Sequence, residues 1–112
     1  MRKTTIKKSE AGYRWSQTDE SLTISLPVRN VNRKEIDVLY AELCLKVNVT
    51  KIRFIQIIDF PFPIDFTSVQ NKVQLTDDSL EVFLMKKDIN VAPWPELQLS
   101  GLNQKELTER RN

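Results

Sequence analysis

The stretch Ser79 to Leu99 restricts the possible folds more than any other: a strand-like alternation runs into a tryptophan fenced by prolines. Side chains of a strand point alternately to its two faces, so Leu80, Val82 and Leu84 share one face and Glu81, Phe83, Met85 and Lys87 the other. An all-aliphatic face suits the interior of a sandwich, whereas the second face is mixed and carries two large apolar residues. Pro93 and Pro95 exclude a helix around Trp94 and keep it out of a central strand. Trp94 is therefore expected to return over one end of the sandwich as a plug, with Leu97 beside it. Two readings stay open for Phe83 and Met85: half-covered by the segment Ile89 to Trp94, or an exposed patch. Lys86 and Lys87 read as a basic pair on a solvated strand end.

The rest of the chain repeats the alternation. Tyr13, Trp15 and Gln17 form one face of a short first strand, and Leu22, Ile24 and Leu26 one face of a second that ends at Pro27. Val28 to Glu35 is a polar connection long enough to cross between sheets. Ile36, Val38 and Tyr40 then alternate, as do Leu43, Leu45, Val47 and Val49, with only Glu42 left for the turn between them, by a loop or a bulge. Lys51 to Asp59 is apolar on both faces and is expected in the middle of a sheet. Phe60-Pro61-Phe62-Pro63 must be irregular, Ile64 to Gln70 is a connection, and Asn71 to Leu75 is a brief strand. Only the end looks helical, with Asn103 as N-cap, Glu106 completing a capping box and Leu102 with Leu107 as a hydrophobic staple. About seven short strands with no interior helix predict an all-β fold, a compact antiparallel β-sandwich with a short C-terminal helix.

The residue inventory excludes several functions. With no histidine and a single cysteine, Cys44, neither a zinc site of the usual nitrogen and sulfur ligands nor an internal disulfide can form. Cys44 is expected to be an inert small hydrophobe. A general base working near neutral pH is usually a histidine, so its absence argues against an enzyme. Gly12 and Gly101 cannot make a phosphate-cradling loop, and the pairs Asp19-Glu20 and Asp77-Asp78 read as turn formers. A net charge of +2 is too small to indicate nucleic acid, and the aromatics fall at core spacing rather than along a basic groove. No apolar run approaches the roughly 20 residues of a membrane helix, and no signal-peptide pattern opens the chain, so the simplest compartment is the cytosol. Asn48-Val49-Thr50 fits the glycosylation sequon by chance at a strand end.

Ordered motifs then carry a resemblance. Tyr13-Arg-Trp-Ser-Gln-Thr18, Thr23-Ile-Ser-Leu-Pro-Val28, Asp37-Val38, Leu80 to Lys87 and Trp94-Pro-Glu-Leu97 resemble, in this order, the CS domain. This family is the compact sandwich of small co-chaperones of heat-shock protein 90 and of nuclear-movement proteins. The likeness covers Tyr13 to Leu102, which implies a flexible tail over 1–12, a CS domain over 13–102 and a short helix or linker start over 103–112. Within the family, Tyr13 to Thr18, Ser25-Leu26-Pro27 and Trp94 to Gly101 resemble the N-terminal CS domains of dynein axonemal assembly factors. The factor it is most similar to continues into tetratricopeptide repeats, so the chain reads either as an excised domain or as a stand-alone relative. Asn30 stands where the family places glycine, and asparagine tolerates the left-handed conformation that the turn requires. Ser16, Ser25 and Ser79 stand where one family interface has aromatic and lysine residues, while Glu81 is retained.

The resemblance implies a non-enzymatic, monomeric interaction module in the cytoplasm, with heat-shock protein 90 or associated chaperones and dynein assembly factors as partners. It implies no cofactor, no nucleic acid and no membrane. The expected partner-binding residues are Glu81, Phe83, Met85, Lys86 and Lys87. A holdase related to small heat-shock proteins, which use a similar sandwich, is the alternative; an RNA-binding sandwich is a more distant one.

Overall fold

The structure, a computed structural model, describes residues 7–8 and 12–111. In chain order the strands are β1 (Lys7–Lys8), β2 (Arg14–Gln17), β3 (Ser21–Leu26), β4 (Asp37–Ala41), β5 (Cys44–Val49), β6 (Phe54–Asp59), β7 (Lys72–Leu75) and β8 (Leu80–Met85), followed by helix α1 (Gln104–Arg111). They form a five-stranded sheet, β1-β2-β3-β8-β7, and a three-stranded sheet, β4-β5-β6. Every pairing is antiparallel. The expected all-β sandwich with a short C-terminal helix is the fold observed.

Register explains the core. Trp15, Ile24, Val82 and Val73 lie across one row of the larger sheet, and Leu26, Leu80 and Leu75 across another. Tyr40, Leu45 and Ile58 face them from the smaller sheet. Because strand side chains alternate with period two, a one-residue slip would exchange these aliphatics for Thr23, Ser25 and Glu81. Leu22, Ile24, Leu26, Leu45, Val47, Leu80 and Leu84 are wholly buried. The connection after β3 crosses between the sheets as its composition indicates, and Asn30 takes the left-handed backbone (φ 63°).

The structure departs from the sequence reading at Leu43, at Lys51 and in the placement of β6. Leu43 is not in a strand: with Glu42 it forms a two-residue turn that sets Ala41 opposite Cys44. Lys51 does not begin β6, because Thr50–Ile52 form a 3-10 turn that Arg53 ends in the left-handed conformation (φ 53°). β6 is an edge strand and not a central one. Its second apolar face stays partly open, and only Asp59 at its end is covered, by residues from the C-terminal segment. The expected tail 1–12, with Arg2 and Lys3, lies outside the described residues apart from Gly12 and Lys7–Lys8, and the latter pair with β2.

The C-terminal helix is capped as expected. The Asn103 side chain accepts from the Glu106 N–H at 2.8 Å, and Glu106 accepts in return from the Asn103 N–H at 3.3 Å. α1 has no buried residue, and polar contacts hold it on the sandwich. Arg111 Nε and Nη2 donate to the two oxygens of Asp59 at 2.8 and 2.7 Å, and Arg110 donates to the carbonyl of Phe60.

Candidate partner-binding surface

Glu81, Phe83 and Met85 lie on the outer face of the larger sheet, half-buried, while Leu80, Val82 and Leu84 fill the interior. Their neighbours follow from register. Arg14, Ser25, Glu81 and Gln74 form one row across β2, β3, β8 and β7, and Ser16, Thr23, Phe83 and Lys72 the next. One Glu81 oxygen accepts from both Ser25 Oγ and Ser79 Oγ, each at 2.5 Å, so the carboxylate is held in place at the surface. Two of the serines that depart from the family pattern therefore orient the acid that is kept. Lys72 Nζ stands 6.0 Å from the centre of the Phe83 ring, at the outer limit of a cation–π contact. The Met85 N–H donates to Asn71 Oδ1 at 2.8 Å.

Thr23 and Lys72 thus stand beside Phe83, Ser21 stands beside Met85, and Asn71 holds the Met85 backbone. The 89–94 segment bonds elsewhere: Gln17, on the inner face of β2, accepts from the Trp94 N–H at 2.8 Å and donates to the Trp94 carbonyl at 2.9 Å. Trp94 is 2% exposed and tilts against Phe60 and Phe62, with ring centres 5.8 and 5.7 Å away. The plug role expected for Trp94 and Leu97 is what the structure shows.

Lys86 requires a correction. It was expected on a solvated strand end beside Lys87, yet it is only 4% exposed. Its Nζ donates to Gln17 Oε1 and to the Thr18 carbonyl, both at 2.8 Å, and sits 5.8 Å from the Trp94 ring centre. The cause is parity: position 86 continues the inward series 80, 82, 84, and Ile64 bridges to it as strand pairing ends. The sequence therefore contained the signal, which the charge of the residue masked. Lys87 is exposed and pairs with Glu42 Oε2 at 2.6 Å, and that bond raises its pKa. Of the five expected residues, Glu81, Phe83, Met85 and Lys87 therefore share the outward side of the sheet, bordered by Arg14, Thr23 and Lys72, and the Lys86 ammonium is turned inward.

Among the described residues no three His, Cys, Asp or Glu side chains gather where they could hold a metal ion. Cys44 is half-buried opposite Asp59, and burial, then the nearby carboxylate, pushes its thiol pKa up.

A family model described as the CS domain matches residues 11–86. The chain is also 33% identical over 98 residues, 88% of its length, to dynein axonemal assembly factor 4 of Pan paniscus and of Pan troglodytes. It is 30% identical over 99 residues to the same factor of Pongo pygmaeus. It spans 22% of the length of these relatives. The matched residues take in β2 to β8, with both sheets, the crossing connection and the row from Glu81 to Met85. By its fold, its motif order and this match, the chain belongs to the CS domain family.

Proposed function

We propose that this chain is a non-catalytic interaction module that binds heat-shock protein 90 or its associated chaperones in the cytoplasm while axonemal dyneins are assembled. The observation that carries this reading is the outer face of β3, β8 and β7. A fixed carboxylate, Glu81, and a half-open aromatic, Phe83, stand there on rigid strands of a CS domain, among basic side chains from Arg14 and Lys72. Rigid strands present such groups with little ordering cost on binding. The similarity to dynein axonemal assembly factor 4 supplies the assembly context. No helix of the described residues is long and apolar enough to cross a membrane.

The chain is read as a monomer that binds transiently. Calorimetric titration of heat-shock protein 90 into the chain tests this. Phe83→Ala should weaken binding by about tenfold or more, as expected for an aromatic anchor. Glu81→Gln, which keeps the size of the side chain, should weaken it less. Equal affinity for wild type and Phe83→Ala would remove this face from the interaction.

A further inference from the structure

The smaller sheet presents a second open face. Register places Leu39, Lys46 and Ile57 across one of its outer rows and Asp37, Asn48 and Ile55 across the next. Leu39 is 67% and Ile55 59% exposed, and Ile57 is half-buried. Strand spacing sets the rows about 7 Å apart and Leu39 about 10 Å from Ile57, so three aliphatic side chains surround one lysine. The third row ends in Asp59, where Arg111 of α1 and the segment at Leu99 cover it. One end of this face therefore already seats a helix, while Leu39 and Ile55 stay exposed.

Charge decides what fits. Lys46 is exposed and has no carboxylate within ion-pair distance among the described residues. A depression at the β4 side of this face is lined by Arg33, Asp37, Leu39, Lys46 and Asn48; Arg33 also donates to the Ile36 carbonyl at 3.0 Å, and Lys34 is exposed in the same turn. Asp37 is the one acid lining the depression. A second copy of the face would bring another Lys46 and Arg33 and only another Asp37 to match them, so the two copies are poorly complementary in charge. Nucleic acid would gain nothing from the aliphatic groups. We propose that the outer face of β4, β5 and β6 docks an acidic amphipathic segment of a partner protein. Its aliphatic side chains would rest on Leu39, Ile55 and Ile57, and its carboxylates would meet Lys46 and Arg33. The face belongs to the sheet opposite the one bearing Phe83, so one chain could hold two partners at once.

The probe is a capped helical peptide with one stripe of leucines flanked by glutamates, alongside a version with lysine for every glutamate. Titrated into the isotope-labelled chain, the glutamate peptide should shift amides of β4, β5 and β6 and bind more weakly as salt rises. Lys46→Glu should cut its affinity about tenfold and favour the lysine peptide. Leu39→Ser should weaken the glutamate peptide as well; both side chains are exposed, so neither change threatens the fold. Absence of saturable shifts, equal binding of the two peptides, shifts centred on β3 and β8, or dimerisation of the chain through this face would each overturn the proposal.

Discussion

Gln17 joins three parts of the molecule through one side-chain amide: it holds both backbone polar groups of Trp94 and accepts from Lys86. Gln17→Leu would strand these buried partners, and a buried group left unpaired costs about 1–3 kcal/mol. The variant should lose about 3 kcal/mol or more in urea unfolding. Trp94→Ala should cost about 3–5 kcal/mol, as other large-to-small changes at buried aromatics do. The two lysines separate by burial. Lys86→Met should be clearly destabilising, because Gln17 and the Thr18 carbonyl lose a charged donor. Lys87→Met should leave the melting temperature nearly unchanged, since its pair with Glu42 is solvated. Trp94 is legible because its prolines leave a returning plug little alternative, whereas the charge of Lys86 masks the inward parity of its position. Cys44 gives a pH test. A pKa raised by burial and by Asp59 keeps the thiol protonated, so iodoacetamide should modify it more slowly than free cysteine at neutral pH. The stabilising contribution of the protonated thiol is complete below the ordinary cysteine pKa. It is lost as pH rises through the higher folded-state value.

Among the elements, α1 depends on its cap and on its clamp. Asn103→Ala should cost the helix about 1 kcal/mol, the usual penalty for a lost N-cap. Arg111→Ala removes the partner of Asp59, but the carboxylate regains water once the helix lifts, which limits the cost to that of undocking. Amide exchange should therefore show α1 unprotected while β3, β5 and β8 keep their protection. A uniform loss of protection would mean that α1 is integral to the core. The capping box was legible because its signal is local, an asparagine and a glutamate three apart. The clamp was not, because Asp59 and Arg111 lie 52 residues apart and nothing in either neighbourhood announces the pair. β6 shows the same limit. A run apolar on both faces is equally consistent with a central strand and with an edge strand that leaves one face bare, and pairing decides between them. The strands β3 and β8 were readable from alternation alone, since each has one wholly aliphatic face. The turn at Glu42-Leu43 has neither glycine nor proline to mark it.

At the scale of the molecule, two sheets turn two chemically different faces outward: a held carboxylate with an aromatic on one, and aliphatics around an exposed lysine on the other. The fold was legible because the core motifs recur in a fixed order along the chain. The proposed binding face was only partly so, because alternation shows which residues point outward but not which of them neighbouring strands hold or cover. Register supplies that information, placing Ser25 on Glu81 and Lys72 over Phe83. The decisive measurement is amide chemical-shift mapping of the labelled chain titrated with heat-shock protein 90. Saturable shifts centred on Thr23, Ser25, Glu81, Phe83 and Lys72, and diminished in Phe83→Ala, are the expected result. No shifts at high chaperone concentration, or shifts confined to β4, β5 and β6, would contradict the assignment of the larger sheet as the chaperone-binding face.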